Sequence, residues 1–188
     1  MSLNFEFYAC PLEGLFRVKR KPAADSRGSF GRLFCTDEFM EIGLSDPIKQ
    51  INYSRTIKRG TIRGMHFQYP PFAEDKIVTC IGGEILDVAI DIRKDSPTFL
   101  HWHGEVLSAK NETSLFIPKG FAHGFQTLVE NCQLLYAHSM RYTPDAEGVI
   151  NALDSKLAIR WPFEPVDMSE RDLNHPEVDK SFCGIEVS

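Results

Sequence analysis

The sequence predicts an all-β protein, a sandwich or barrel with a jelly roll among its closures. Three observations predict it. Short alternating or wholly apolar segments recur along the chain, cut by Gly, Pro, Asn and Asp. Long helical periodicity is scarce. The even spacing of the segments suits closed architectures of many short strands. A length of 188 residues favours one domain, 1–188, at roughly 100–200 residues per domain. The chain is 43% hydrophobic and 25% charged, an ordinary globular profile that needs no staples to fold.

In chain order, Leu15–Lys19 is the first strand candidate. Thr36–Ile42 is a short helix candidate, with Thr36 as N-cap and Gly43 as stop. Ile48–Tyr53 follows as a strand. In Thr61–Gln68, strict alternation puts Ile62, Gly64, His66 and Gln68 on one face and Arg63, Met65 and Phe67 on the other. A His and a Gln behind a Gly make a polar face, either a hydrogen-bonded core site or a binding site. The Gly marks a bulge or the close approach of a ligand. Lys76–Cys80 is the next strand.

Glu84–Ile92 sets Glu84, Leu86, Val88, Ile90 and Ile92 against Ile85, Asp87, Ala89, Asp91 and, just beyond, Arg93. Two carboxylates on a partly apolar face must be paired or hydrated. Asp91 either pairs with Arg93, or Asp87 serves a histidine or a ligand hydroxyl. Leu100–Leu107 contains His101, His103 and Glu105 on one face, a spacing that jelly-roll enzymes use for divalent metals. The competing reading makes that face an outward polar surface, with Trp102 and Val106 inside.

Ser114–Ile117 is a strand, and Pro118 with Gly120 turns the chain. His123, between two phenylalanines, is read in that turn, as a core residue or a donor to a ligand oxyanion. Gln126–Val129 and Gln133–Arg141 are the last strands. In the latter Leu134, Tyr136, His138, Met140 and Tyr142 share a face, and an inward tyrosine needs a hydrogen-bond partner. Pro165–His175 is polar and reads as a short helix or loop packed on the barrel.

Twenty-one basic against 26 acidic residues leave a formal net charge of −5. That excess disfavours nucleic acid and anionic membrane surfaces as partners. No apolar run reaches the ~18 residues needed to span a bilayer, and no signal peptide is expected. The five scattered cysteines predict reduced thiols in a cytoplasm.

Taken in order, DSRGSF (25–30), QINYS (50–54), IRGMHFQ (62–68), KIVTC (76–80), GEILDVAIDIRKDSPTF (83–99), IPKGFAHGF (117–125), LLYAHSMRY (134–142), DSKLAIRWP (154–162) and MSERD (168–172) form a specific set. This set resembles the dTDP-4-dehydrorhamnose 3,5-epimerase family over nearly the whole chain. The resemblance implies a cupin jelly roll, a double-stranded β-helix with a few short peripheral helices. It also implies a homodimer with exchanged edge strands, no metal and no other cofactor. The implied substrate is a nucleotide-diphosphate-linked 4-keto-6-deoxyhexose, inverted at carbons 3 and 5.

The chemistry suits the residues. Protons at carbons 3 and 5 flank a keto group, so inversion needs a base on one face, an acid on the other, and a donor to the enolate oxygen. By resemblance His66 is the base and Asp172 its carboxylate partner. Tyr136 is the acid, and Lys76 lies at the 4-keto oxygen. Asp87 and His123 form a second polar pair. Arg27 and Arg63 hold the diphosphate and nearby groups. Gln50, Asn52 and Ser54 line the sugar and phosphate end, Gln68 and Phe125 also bind substrate, and Phe30 and Tyr142 serve the base. For Arg63 and His66 both to reach the pocket, a bulge is expected near Gly64.

The chain departs from the family where aromatic and acidic groups help hold thymidine. Ser29, Arg32 and Arg141 stand there, so a different nucleotide is the alternative, as is inversion of a single carbon. The family resemblance leaves the metal-dependent oxygenase reading of His101, His103 and Glu105 as a remote alternative. It also predicts that Arg27, Arg63 and Lys76 create a local positive site, to which Arg32 and Arg141 would add where the family has none, and screening over about 8–10 Å permits such a site in an acidic protein.

Overall fold

The computed structural model describes residues 4–179 and 181–187. Among them, β1 (Phe5–Ala9), β2 (Phe16–Arg20), β10 (Thr113–Ile117), β7 (Lys76–Gly82), β12 (Cys132–His138) and β5 (Gln50–Thr56) form a six-stranded sheet in that order. A five-stranded sheet runs β13 (Glu147–Val149), β6 (Ile62–Gln68), β11 (Phe121–Thr127), β8 (Glu84–Asp91) and β9 (Trp102–Ser108). Every pairing in both sheets is antiparallel. A small hairpin, β3 (Ala23–Asp25) with β4 (Gly28–Phe30), stands apart, and its six residues are exposed. The helices are short, α1 (Thr36–Met40) and α2 (Glu170–Leu173). The expected all-β jelly roll is the observed one. No helix among the described residues is long and apolar enough to cross a membrane.

Period-2 sequence explains the layers. Between the sheets, Val78, Cys80, Leu115 and Leu134 from one side meet Ile85, Ala89, Leu107 and Phe125 from the other. Each fully buried Val, Leu, Ile or Phe among them contributes ~1.5–3 kcal/mol. The outer face of the five-stranded sheet, with Ile62, Met65, Phe67, Val88 and Ile90, is covered by Ile150, Ala152, Leu157, Val178 and Ile185 of the C-terminal segment. The outer face of the six-stranded sheet packs Val18, Ile77 and Phe116 under Phe39, Ile42 and Leu44.

Several elements differ from the sequence reading. The segment read as a turn around His123 is strand β11, because its small and aromatic residues pack on both faces between β6 and β8. The N-cap of α1 is Cys35 rather than Thr36, and no side chain caps it. His103 and Glu105 do not face outward. They oppose Ala89 and Asp87 in register, whose strand mate Ile85 lies in the inter-sheet core. Trp102 instead faces out under the C-terminal cover, donating from Nε1 to the Leu157 carbonyl. Both faces of this sheet are buried, so alternation alone does not say which is the interior.

The expected bulge is present. In the β6–β11 ladder His123 opposes His66, whereas Phe125 opposes Arg63, so β6 carries one extra residue around Gly64. Arg63 and His66 thereby share the pocket side, while Ile62 and Met65 turn into the outer core. Two glycines make this possible. A Cβ on Gly64, at φ +133°, would lie 2.5 Å from the Gly124 Cα, and one on Gly124 would lie 2.5 Å from Met65 Sδ. Gly64→Ala is expected to cost about 2–5 kcal/mol from backbone strain and overpacking together. Gly28→Ala, at φ +135° in open space, should cost only the strain. Thermal melting of both variants checks this, and equal losses would remove the packing argument.

Candidate active site

One end of the space between the sheets opens into a cavity of about 820 Å³. Pocket-facing residues of β6 and β11 form one wall, and those of β5, β7 and β12 form the other. The segment carrying α2 closes the side.

His66 projects from β6, and its Nε2 lies 2.8 Å from Asp172 Oδ1. Asp172 is brought there by α2, whose N-cap Ser169 accepts from the Asp172 backbone N–H. Burial works against the Asp172 carboxylate. Hydrogen bonds from His66 and Ser169 and from the Gly64 N–H outweigh it and hold the acid below its ordinary range. Arg171 Nη2 lies 3.0 Å from the same His66 nitrogen. Nε2 cannot donate to one and accept from the other. The Asp172 side chain is 4% exposed and the Arg171 side chain 51%, so the buried carboxylate has the stronger claim. Asp172 then accepts from Nε2–H, which leaves Nδ1 as the basic nitrogen. Arg171 is held across the mouth by Glu147, at 2.6 Å from Nη1 to Oε2.

On the opposite sheet, the Tyr136 hydroxyl and Ser54 Oγ share a hydrogen bond of 2.9 Å. Burial raises the phenol above its ordinary range, and the Asp87 charge adds to this. The Ser54 bond and the Arg63 charge oppose it. Lys76 is buried, with Nζ 3.0 Å from Glu74 Oε1 and donating to the His66 carbonyl at 3.1 Å. His123 lines the pocket and meets Asp87 Oδ1 at 2.7 Å, with Asp87 fully buried behind it. Burial raises the Asp87 carboxyl and the nearby His123 opposes this. Both readings of strand Glu84–Ile92 hold together, because Asp91 pairs with Arg93 at 2.8 Å as well.

Gln50, Asn52 and Ser54 line the β5 side, and Phe125 the floor. Gln50 Nε2 donates to Asn52 Oδ1 at 3.1 Å. Arg63 reaches the pocket with Nε on Thr56 Oγ1 at 3.1 Å. Gln68 lines it too, but its amide is committed. Nε2 donates to Glu74 Oε2 and the Phe72 carbonyl, and Oε1 accepts from the Thr143 N–H. It braces the wall rather than offering free hydrogen-bonding groups. Tyr142 lies at the mouth with its hydroxyl on Glu147 Oε2 at 2.8 Å.

Five expected residues do not line this cavity. Arg27 and Phe30 stand out on the β3–β4 hairpin, where the Arg27 side chain is 87% exposed and pairs with Asp25. Arg32 pairs with Glu38 at 3.5 Å. Arg141 is exposed and points away from the cavity lining, to which its neighbours Met140 and Tyr142 contribute. Asp87 is buried behind His123 and does not reach the cavity. The positive side chains that do line the cavity are Arg63, Lys76 and Arg171. Sequence reading missed Glu147, Arg171, His138 and Met140 as lining residues. His138 and Met140 follow from the alternation that placed Tyr136. Arg171 stands beside Asp172 in the MSERD motif, whereas Glu147 has no local signal because it arrives from a distant segment.

The metal-like triplet is not assembled. His101 is exposed before β9, and His103 Nε2 is 3.5 Å from Glu105 Oε2. No three His, Cys, Asp or Glu side chains among the described residues are grouped to hold a metal ion.

The sequence profile for dTDP-4-dehydrorhamnose 3,5-epimerase matches residues 9–180. The chain is 42% identical to the dTDP-4-dehydrorhamnose 3,5-epimerase of Salmonella typhimurium over 167 residues, 88% of this chain and 91% of that one. It superposes with a TM-score of 0.90, at 34% identity, on the Legionella pneumophila dTDP-6-deoxy-D-glucose-3,5-epimerase in complex with dTDP-4-keto-L-rhamnose, covering 98% of this chain and 100% of that one. The Bacillus anthracis dTDP-4-dehydrorhamnose 3,5-epimerase, solved with TDP and pyrophosphate bound, gives a TM-score of 0.89 at 35% identity, covering 93% and 99%. Full-length similarity in sequence and in fold therefore agrees with the order of motifs from residue 25 to residue 172: the chain belongs to the dTDP-4-dehydrorhamnose 3,5-epimerase family.

Proposed function

We propose that this protein inverts carbons 3 and 5 of a dTDP-linked 4-keto-6-deoxyhexose, without a cofactor. The observation that carries the reading is the opposition of His66 and Tyr136. The His66–Asp172 pair stands on the five-stranded sheet and the phenol on the six-stranded one, with the cavity between them. Inversion needs a base and an acid on opposite faces of the ring, and two facing sheets supply that directly. His66 removes the proton next to the keto group. Asp172 stabilises the imidazolium that results. Lys76 carries positive charge toward the enolate oxygen, and Tyr136 returns a proton from the other side. The phenolate left behind regains its proton from solvent, and His66 releases its own.

Arg63 and Arg171 supply positive charge for the diphosphate. Tyr142 offers a ring to the base, and the outward turn of Arg141 leaves that ring unobstructed. The homodimer with exchanged edge strands completes the reading. The hairpin bearing Arg27 and Phe30 lies exposed, Phe30 at 84%, as an arm that reaches a second copy. The reading extends to a cytoplasmic enzyme with reduced thiols, since all five cysteines are free.

Proton NMR in heavy water, with dTDP-, UDP-, GDP- and CDP-linked 4-keto-6-deoxyhexoses, tests the proposal. Deuterium is expected at both carbon 3 and carbon 5, fastest with dTDP. Label at one carbon only makes the protein a single-centre epimerase, and a preference for another nucleotide overturns the thymidine assignment. A monomeric mass in solution with full turnover overturns the exchanged dimer.

A further inference from the structure

His138 is unused by the proton transfers described above, yet it lines the pocket at the end of β12. It lies two residues beyond Tyr136 on the same face of β12, and the two rings stack with centroids 6.3 Å apart at 27°. In register it sits opposite Lys76 on β7 and opposite Gln50 on β5. Its ring nitrogens make no hydrogen bond to any described residue, while the other pocket histidines, His66 and His123, each hold a carboxylate. A half-buried imidazole with no partner in its own chain has its donor and acceptor open to whatever fills the cavity. Burial, then the charges of Lys76 and His123, push it down to about 3, so at neutral pH it keeps one N–H and cannot exist as a competing cation.

Lys76 needs help. Its ammonium has three donors. One faces Glu74, which also offsets its charge, and one goes to the His66 carbonyl. A single donor remains for the substrate. An enolate in a water-poor site is stabilised by donors already aimed at it, and an uncharged imidazole N–H serves as such a donor without giving up its proton.

We propose that His138 is a further catalytic residue, donating a ring N–H to the substrate's 4-oxygen beside Lys76. The proposal rests on the epimerase reading. Both proton removals generate charge on the same oxygen, so His138 serves both carbons equally, whereas an acid or base acts at the carbon it reaches.

His138→Phe keeps a ring against Tyr136 but removes the donor. Its kcat is expected to fall by about 10²–10³-fold, the usual effect of deleting one such donor. KM should change little, and deuterium wash-in should slow equally at carbons 3 and 5. His138→Ala, with imidazole added at mildly alkaline pH, is expected to recover part of the loss. 1-Methylimidazole, which fills the same space without an N–H, is not. An unchanged kcat in His138→Phe overturns the proposal, as does slowing confined to one carbon, or equal rescue by both imidazoles. If His138→Phe does not fold, the rescue comparison in His138→Ala decides alone. Wild-type protein run in parallel separates the two layers. No wash-in from wild type on any sugar refutes the epimerase reading and this proposal with it. Wild-type wash-in with an unaffected His138→Phe refutes the His138 role alone.

Discussion

His66→Asn is expected to lower deuterium incorporation at carbons 3 and 5 together, by about 10²–10⁴-fold. The amide fills most of the imidazole's space and retains a hydrogen bond to Asp172, but it has no basic nitrogen at neutral pH. Asp172→Asn should act in the same direction through a different cause. The carboxylate accepts from Nε2–H and so fixes which nitrogen is basic. An amide in its place no longer stabilises the imidazolium, and its NH₂ group competes as a donor to Nε2. The double variant His66→Asn/Asp172→Asn should be little worse than His66→Asn alone, because the two side chains act as one unit. Full additivity in that cycle, read as kcat/KM, would show that Asp172 acts elsewhere. The Asp172 side chain is 4% exposed, so thermal melting must accompany the kinetics.

The second large effect is expected from Tyr136→Phe, and it is qualitative as well as large. Removing the phenol leaves proton removal by His66 intact. The enolate carbon then has no acid on the six-stranded sheet to protonate it and is reprotonated from the side of His66. Net inversion should fall by about 10²–10⁴-fold, while exchange with solvent at the same carbons falls far less. The ratio of exchange to inversion therefore rises, which no purely structural lesion would produce. The Ser54 hydroxyl loses its 2.9 Å partner, at a cost of about 1 kcal/mol in stability. Equal losses of exchange and inversion would move Tyr136 from proton donor to substrate anchor.

Much of the site is visible along the chain because strands write their faces in alternation. Tyr136, His138, Met140 and Tyr142 share a face by parity, and the structure keeps them together on the cavity wall. Parity also separated Asp87 and Ala89 from Val88 and Ile90, as the two cores confirm. It misled wherever the ladder slips. One extra residue at Gly64 moves Ile62 to the opposite side from His66 and brings Arg63 to the pocket. It misled again at His103 and Glu105, because a sheet covered on both faces has no polar side to mark the outside. Pro118 and Gly120 do turn the chain, but the turn ends sooner than those punctuators suggest, and β11 begins at Phe121.

By itself, the sequence indicated the all-β architecture, most of its longer strands and, through the ordered motifs, the family and the side chains proposed to react. The architecture follows from local periodicity, and the family and the proposed roles from the resemblance that the ordered motifs carry. Only the tertiary structure decided which side of each sheet is interior. It gave the His66–Asp172 pair, implied by the resemblance, its 2.8 Å contact, and it alone brought Arg171 and Glu147 to the mouth of the pocket and left Arg27 and Phe30 standing outside it. The physical reason is that side-chain pairing depends on how two sheets and a C-terminal cover pack. That packing is a property of summed burial and register across the whole chain, with no trace in the spacing of neighbouring residues.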